Sequence, residues 1–139
     1  MKTGLEVREI GTDDANIFSE LVTSNFSYPF ETSVFISSVI GKDNWKHYLA
    51  YYHDRPVATG SVFFNGDIAW ISDAATHAEY RNMGAQGALI AKRISAARSA
   101  GCDTVTTETA EDNASYRNML RYGFRHLYKK PNFVHEPLL

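Results

Sequence analysis

The sequence predicts a mixed α/β fold, in which a mostly antiparallel sheet is flanked by helices. Three observations support this prediction. The chain has 139 residues, its hydrophobic content is 44%, and segments with strand-like alternation are followed by segments with helical spacing. Together they indicate one domain over residues 1–139 with a single packed core, and the aromatic content of 13% argues against intrinsic disorder.

The first elements are a strand and two helices. Apolar and polar residues alternate over residues 5–10, which predicts a strand. Thr12 is expected to cap the first helix, which a loop over residues 25–30 separates from the second. The second helix is expected to end at Gly41.

An antiparallel meander follows these helices. Residues 47–53 are rich in tyrosine and apolar side chains, and a turn at 53–56 leads into a strand over 56–64. Asn65-Gly66-Asp67 is a hairpin signal and predicts that the next strand, 68–76, pairs with the preceding one.

The second half alternates helix and strand. In order, we expect a helix over 84–100, a strand over 102–109, a helix over 113–121 and two closing strands over 124–128 and 132–135. The residues of the first of these helices expected to face the core are Ala88, Leu89, Ala91, Ile94 and Ala97.

Bulk properties exclude several functional classes. The net charge of -2 gives no reason to expect a nucleic-acid or membrane partner. No apolar run is long enough for a signal peptide or a membrane span, and Cys102 is the only cysteine, so a cytoplasmic location is expected. The histidines are scattered without metal-ligand spacing, so no metal is expected.

Residues 76–90, THAEYRNMGAQGALI, form the most informative segment. A strand ends, a polar loop follows, and Gly84 and Gly87 open a helix, where exposed N–H groups and the helix dipole attract phosphate. The lack of Gly-Lys-Ser/Thr excludes a P-loop, and the glycine spacing does not fit a Rossmann loop. From these residues alone, an ordinary glycine-bearing turn is an equally good explanation.

A comparison with a known family favours the phosphate loop. Arg81-x-x-Gly84-x-Gln86-Gly87-Ala88 resembles the signature loop of the GNAT N-acetyltransferases, with Gln86 where a glycine is usual. The downstream segment DNASYRNMLRYGF is similar to a helix of the same superfamily. The resemblance implies a GNAT-like fold in which a bulged strand, 69–76, splays from strand 104–109 and leaves a cleft for acetyl-CoA.

The resemblance also implies which residues bind the coenzyme. The pantetheine arm would lie in the cleft like an added strand, and the pyrophosphate would bind loop N–H groups, with Gln86 able to contact phosphate through its amide. The expected cofactor-binding residues are Ala74, Ala75, Thr76, Arg81, Asn82, Met83, Gly84, Ala85, Gln86, Gly87, Asn113 and Ser115.

Acetyl transfer from a thioester to an amine suggests roles for several side chains. Glu108 is the first candidate for the general base and Asp73 the second, although each could be structural. A backbone N–H near Ala75 or Thr76 could stabilise the thioester oxygen. The family often has a tyrosine acid where this chain has Met119.

The identity of the general acid is therefore undecided. Tyr116 or Tyr122 could replace the missing tyrosine, or the thiolate could leave unprotonated, since a thiol pKa is about 8.5.

The sequence does not identify the acceptor. Phe26, Tyr28 and Phe30 lie in a region that borders the acceptor site in the family, and they could form an aromatic wall or belong to the core. We expect an N-acetyltransferase that acts on a primary amine of a small molecule or peptide. A CoA-binding module without catalysis and a pure interaction domain remain alternatives. A homodimer and membership of a longer chain are left open.

Overall fold

The structure is a computed structural model that describes residues 3–26 and 30–133. It contains two compact units, residues 1–108 and residues 109–139. The first unit holds β1 (Leu5–Ile10), α1 (Ala15–Phe26), α2 (Phe30–Val39), β2 (Trp45–Tyr52), β3 (Arg55–Asn65), β4 (Ile68–Thr76), α3 (Ala85–Ser99) and β5 (Thr104–Thr106). The second holds α4 (Ala114–Arg121). That the whole chain is one domain stays a prediction.

The five strands of the described residues form one sheet in the order β1-β2-β3-β4-β5. The first four are antiparallel to their neighbours, whereas β5 is parallel to β4. The hairpin expected at Asn65-Gly66-Asp67 joins β3 to β4, with Gly66 at φ 63°. The predicted mixed, mostly antiparallel sheet with flanking helices is confirmed.

Helices pack on both faces of this sheet. On one face, Phe18 and Val22 of α1 and Ile36 of α2 form a buried cluster with Leu49 of β2. On the other face, α3 packs mainly against β3 and β4. Side chains alternate along a strand, so Tyr48, which interacts with the charge of an α3 residue, points away from the face of Leu49.

The structure corrects some details of the first unit. Thr12 caps no helix, because Thr12–Asp14 forms a 3-10 turn without a side-chain cap, and α1 begins only at Ala15. The buried face of α3 consists of Ala85, Leu89, Ile90, Arg93 and Ala97. Ala91, expected in the core, is exposed, since it lies on the opposite side of the helix. β5 has only three residues and ends before Glu108.

The two predicted closing strands are absent as far as the structure describes them. Residues 124–133 form no strand, and Leu127 and Tyr128 are 69% and 73% exposed. Apolar residues fall on both alternate positions here, as Phe124 and Leu127 do, so this segment has no single apolar face to bury. The end of the second predicted strand, including His135, lies outside the described residues.

No helix in the described residues is long and apolar enough to cross a membrane.

Candidate active site

β4 contains a β-bulge where it pairs with β3. Thr59 pairs with Ala75 and Ser61 pairs with Ser72, so two β4 residues lie opposite the single β3 residue Gly60. The expectation of a bulge in this strand is therefore met. The first of these two β4 positions has a positive φ of 54°, which is uncommon for a residue with a side chain.

That first position is Asp73, and the side chain of Thr59 braces its backbone. The Thr59 hydroxyl donates to the Asp73 carbonyl oxygen at 2.6 Å and accepts from the Ala75 N–H at 3.1 Å. The Ala75 N–H, one of two groups expected to bind the thioester oxygen, is thus already bonded to β3. The backbone N–H of Thr76 is the other.

The edge of β4 beyond the bulge is not paired with β5. The ladder between these strands ends at Trp70 and Thr106, after which only the Thr107 hydroxyl reaches β4, donating to the Ile71 carbonyl at 2.9 Å. The His77 N–H donates to the Val57 carbonyl of β3 at 2.8 Å. Because backbone groups alternate along a strand, those of Thr76 face the opposite, unpaired edge.

The loop after β4 presents unbonded N–H groups. Gly84 has φ 88° and precedes α3, whose first backbone bond runs from the Ala88 N–H to the Gly84 carbonyl at 3.0 Å. Within the described residues, the N–H groups of 82–87 donate to no protein acceptor. Asn82, at φ 63°, also turns the backbone into a left-handed conformation. Such a run of N–H groups at a helix start suits an anion.

Arg81 and Gln86 attach this loop to its surroundings. The Arg81 side chain is exposed and donates to the Thr76 carbonyl and to Asn25 of α1, each at 3.3 Å. The Gln86 amide nitrogen donates to the Thr59 and Ala75 carbonyl oxygens and to the Thr76 hydroxyl, at 3.2, 3.1 and 3.1 Å. The Gln86 side-chain amide is thus bonded to the sheet and not to the loop, and the backbone N–H of Gln86 is the group without a protein acceptor in the described residues.

The two candidate bases lie in different environments. Asp73 accepts a hydrogen bond from the Ser61 hydroxyl at 2.9 Å. Burial raises the pKa of the Asp73 carboxyl, and the Ser61 bond and the Arg93 charge oppose this rise in part. Glu108, in contrast, lies two residues after the end of β5 and is exposed.

The Asp73 carboxylate belongs to the face that α1 covers. Ser61 lies opposite His47 in the β2–β3 ladder, so their side chains share a face. His47 packs edge-on against Phe18 of α1 with ring centroids 5.0 Å apart. The Ser61 hydroxyl, and with it the carboxylate it binds, is therefore on the α1 side.

The second unit contains the remaining catalytic and coenzyme candidates. The Asn113 side chain caps α4 by accepting from the Tyr116 N–H at 2.8 Å. Ser115 and Tyr116 are half-buried, and the Tyr116 ring lies edge-on to His126 with centroids 5.9 Å apart. Met119, which stands where the family often has tyrosine, is buried at 8% exposure.

The aromatic wall is described only in part. Phe26 is the last residue of α1 and is 49% exposed. Tyr28 lies outside the described residues, and for Phe30 only the backbone at the start of α2 is described.

Sequence reasoning missed Arg93 and Thr59. Arg93 is fully buried, and the spacing of Leu89, Arg93 and Ala97 on one helical face was the available signal. The other signal was Gly60 in the middle of the apolar strand PVATGSVFF.

The family model described as the acetyltransferase (GNAT) family matches residues 15–124. The chain belongs to this family. No curated protein sequence matches the chain significantly.

Solved structures of acetyltransferases share the fold of this GNAT chain. A predicted acetyltransferase from Clostridium acetobutylicum, solved with acetyl-CoA, is 12% identical with a TM-score of 0.77, covering 96% of this chain and 99% of its own. AAC(6′)-Iy, in complex with a CoA–acetylneamine bisubstrate analogue, is 12% identical with a TM-score of 0.81 and the same coverage, 96% and 99%.

An aminoglycoside acetyltransferase from an uncultured soil metagenomic sample, meta-AAC0020 in complex with sisomicin, is 14% identical. Its TM-score is 0.75, and the match covers 97% of each chain. At these identities the likeness concerns the fold alone.

Proposed function

We propose that this GNAT chain is an N-acetyltransferase that transfers an acetyl group from acetyl-CoA to a primary amine of a small molecule or peptide. The observation that carries the proposal is the combination of the unbonded N–H groups at 82–87 with the adjoining unpaired edge of β4. The N–H groups suit a pyrophosphate, and the unpaired edge can hydrogen-bond an extended pantetheine in the way that it would bond another strand.

Coenzyme binding would use backbone groups for most contacts. The pyrophosphate would accept from the N–H groups of 82–87, with the exposed charge of Arg81 beside them. Ala74 and Thr76 would bond the pantetheine. Asn113 and Ser115 are carried over from the family resemblance as further coenzyme contacts.

The reaction requires a deprotonated amine, since an alkylammonium has a pKa of about 10. The amine nitrogen attacks the thioester carbon, the carbon–sulfur bond breaks, and coenzyme A leaves as the thiolate. Asp73 is our preferred group for accepting the amine proton, because burial raises its pKa and its hydroxyl partner, Ser61, fixes its direction. Glu108, exposed after β5, is the weaker candidate.

Two groups would assist the departure of the thiolate. The Thr76 N–H, which faces the unpaired edge, would donate to the thioester oxygen as that oxygen gains charge. Tyr116 is our candidate acid, although a thiolate with a conjugate pKa of about 8.5 can also leave without one.

The acceptor is proposed as an amine, and aminoglycosides are the first compounds to test. Two of the structural neighbours are aminoglycoside acetyltransferases, one solved with a CoA–acetylneamine bisubstrate analogue and the other with sisomicin. Phe26, exposed at the end of α1, would border the acceptor together with Tyr28 and Phe30.

A CoA-binding module without catalysis is the second candidate function. The buried Met119 at the usual tyrosine position favours it. The two functions differ in turnover. An enzyme releases thiol steadily from acetyl-CoA with some amine of a panel, whereas a module binds CoA and releases none.

The test of coenzyme binding uses a matched pair of glycines. Gly84 and Gly101 have φ values of +88° and +86°, and a Cβ at either position would meet nothing within 4 Å. Gly84→Asp and Gly101→Asp therefore introduce the same backbone strain, roughly 1–2 kcal/mol, and the same charge. Only Gly84 lies in the proposed phosphate loop.

We expect Gly84→Asp to weaken CoA binding roughly 100-fold in isothermal titration calorimetry and Gly101→Asp to retain the wild-type affinity. A carboxylate about 6 Å from two phosphate charges, at an effective dielectric of about 40, opposes binding by about 3 kcal/mol, or roughly 100-fold in Kd. Equal affinities of the two variants would refute the proposed loop. Absence of CoA binding in the wild type would refute the proposed function.

A further inference from the structure

An arginine lies completely inside the protein, directly beneath the bulge. Arg93 of α3 is 0% exposed. Its Nε donates to the Leu89 carbonyl at 3.1 Å, and its Nη1 donates to the Ser61 carbonyl at 3.1 Å and to the Ser72 carbonyl at 3.2 Å. One guanidinium nitrogen thus links β3 and β4 at the last pair before their register shifts.

The space for this guanidinium exists because residue 60 is a glycine. A Cβ on Gly60 would lie 2.8 Å from both Cζ and Nε of Arg93. Gly60 is also the β3 residue that lies opposite both β4 residues of the bulge. The missing side chain, the bulge and the arginine are therefore parts of one arrangement.

Stability alone does not account for this arginine. Burial lowers the pKa of Arg93 to about 10, so it stays protonated at neutral pH. Within the described residues its Nη2 has no hydrogen-bond partner. Replacing a buried charge by well-packed apolar side chains often leaves the stability of a core unchanged or raises it.

Arg93 instead interacts with the part of β4 that carries Asp73, the group proposed to accept the amine proton. Ser72, whose carbonyl it binds, directly precedes Asp73. The titratable groups that act on Arg93 are Asp73 of β4 and Tyr48 of β2. The positive charge favours the ionised form of Asp73, and the bond to Ser72 restrains the backbone from which that carboxylate projects.

We propose that Arg93 is a positioning residue, which holds the bulge in the register that aims the Asp73 carboxylate and the open edge of β4. The proposal rests on the proposed function, because it assigns the bulge a role in binding pantetheine and in accepting a proton. Arg93 touches neither coenzyme nor acceptor in this arrangement.

The binding experiment compares two ligands and two variants. The ligands are CoA and its fragment 3′-phosphoadenosine 5′-diphosphate, which lacks the pantetheine. The variants are Arg93→Met and Ile90→Ala, a control on the same helix with 1% exposure and no bond to the bulge. We expect Arg93→Met to lower the affinity for CoA at least about tenfold and the affinity for the fragment less than about twofold. Ile90→Ala should lower the melting temperature without this selectivity.

The kinetic experiment follows the pH profile of kcat/KM with an accepted amine. Loss of the Arg93 charge raises the pKa of Asp73, so the acidic limb of the profile should move to higher pH in Arg93→Met. In an Asp73→Asn background the same substitution should cause no such shift. If Arg93→Met does not fold, Gly60→Ala replaces it in the binding experiment, because it displaces the guanidinium and keeps the charge.

Each outcome decides the proposal. Selective loss of CoA affinity with a moved acidic limb supports it. Equal weakening of both ligands, or an unchanged CoA affinity and pH profile, overturns it and leaves the proposed function intact. A wild-type protein that does not bind CoA overturns the proposed function and this inference with it.

Discussion

The contact between Gly60 and Arg93 predicts a specific energetic coupling. Gly60→Ala places a Cβ 2.8 Å from Cζ and Nε of a side chain that is 0% exposed and cannot swing into solvent. Overpacking of this kind costs about 1–3 kcal/mol, and the loss of glycine from a strand returns up to about 1 kcal/mol. We expect a net loss of about 1–2 kcal/mol in the free energy of unfolding.

A double-mutant cycle isolates the contact. Arg93→Met removes the guanidinium and leaves the Ser61 and Ser72 carbonyls without that donor, which costs stability by itself. In the Arg93→Met background, however, the new methyl group of Gly60→Ala no longer meets a guanidinium. The second substitution should then cost nothing and return up to about 1 kcal/mol, so the coupling energy equals the overpacking cost of about 1–3 kcal/mol.

Urea unfolding, followed by circular dichroism and analysed by linear extrapolation, measures this coupling. Gly11→Ala is the control, since a Cβ there meets nothing within 4 Å and its effect should add to that of Arg93→Met. If Gly60→Ala and Arg93→Met are additive to within about 0.5 kcal/mol, the guanidinium does not occupy the place of the missing side chain.

Three further predictions concern single side chains. Thr59→Val, similar in shape, removes the hydroxyl between Asp73 and Ala75 and should lower the free energy of unfolding in urea by about 1–3 kcal/mol. Burial lowers the pKa of His47 from 6.5 to about 4, so the free energy of unfolding of the wild type should fall by up to about 3 kcal/mol as the pH falls from 6.5 to 4. His47→Phe should avoid this loss, and urea unfolding at pH 7.5 and 4.5 measures the difference. Asp73→Asn should lower kcat by about 10²–10⁴-fold and Glu108→Gln far less, and the reverse ranking in a thiol-release assay would make Glu108 the base.

Local sequence signals predicted the main strands and helices of this protein. The hairpin at Asn65-Gly66-Asp67 and the helix after Gly84 depend on backbone conformations that glycine favours, so they can be recognised from a few neighbouring residues. The predicted strand over 102–109 was too long. Its threonines favour strand, but β5 ends at Thr106, because pairing with β4 decides the length and local propensity does not reveal pairing.

The bulge was expected only from the family resemblance, and its supports were not expected at all. Thr59 and Arg93 are separated by a hairpin, a strand and a loop in the sequence, and they meet at the bulge only in the folded chain. The sequence favours Glu108 over Asp73 as the base, because alternation alone leaves open whether Asp73 faces the cleft. In the structure, burial acts on Asp73 and Glu108 is exposed.

The attachment of the loop by Gln86 has a consequence for its dynamics. The side chain of Gln86 ties the first turn of α3 to β3 and β4, while the amides of 82–87 in the same segment have no protein acceptor. Hydrogen exchange should therefore be fast at these amides and slow at Leu89 and Ile90, only a few residues later. A loop that is held in place, with N–H groups that have no protein acceptor, can bind a ligand without first reorganising. In the free protein, a sharp boundary in exchange rates would reveal such a loop.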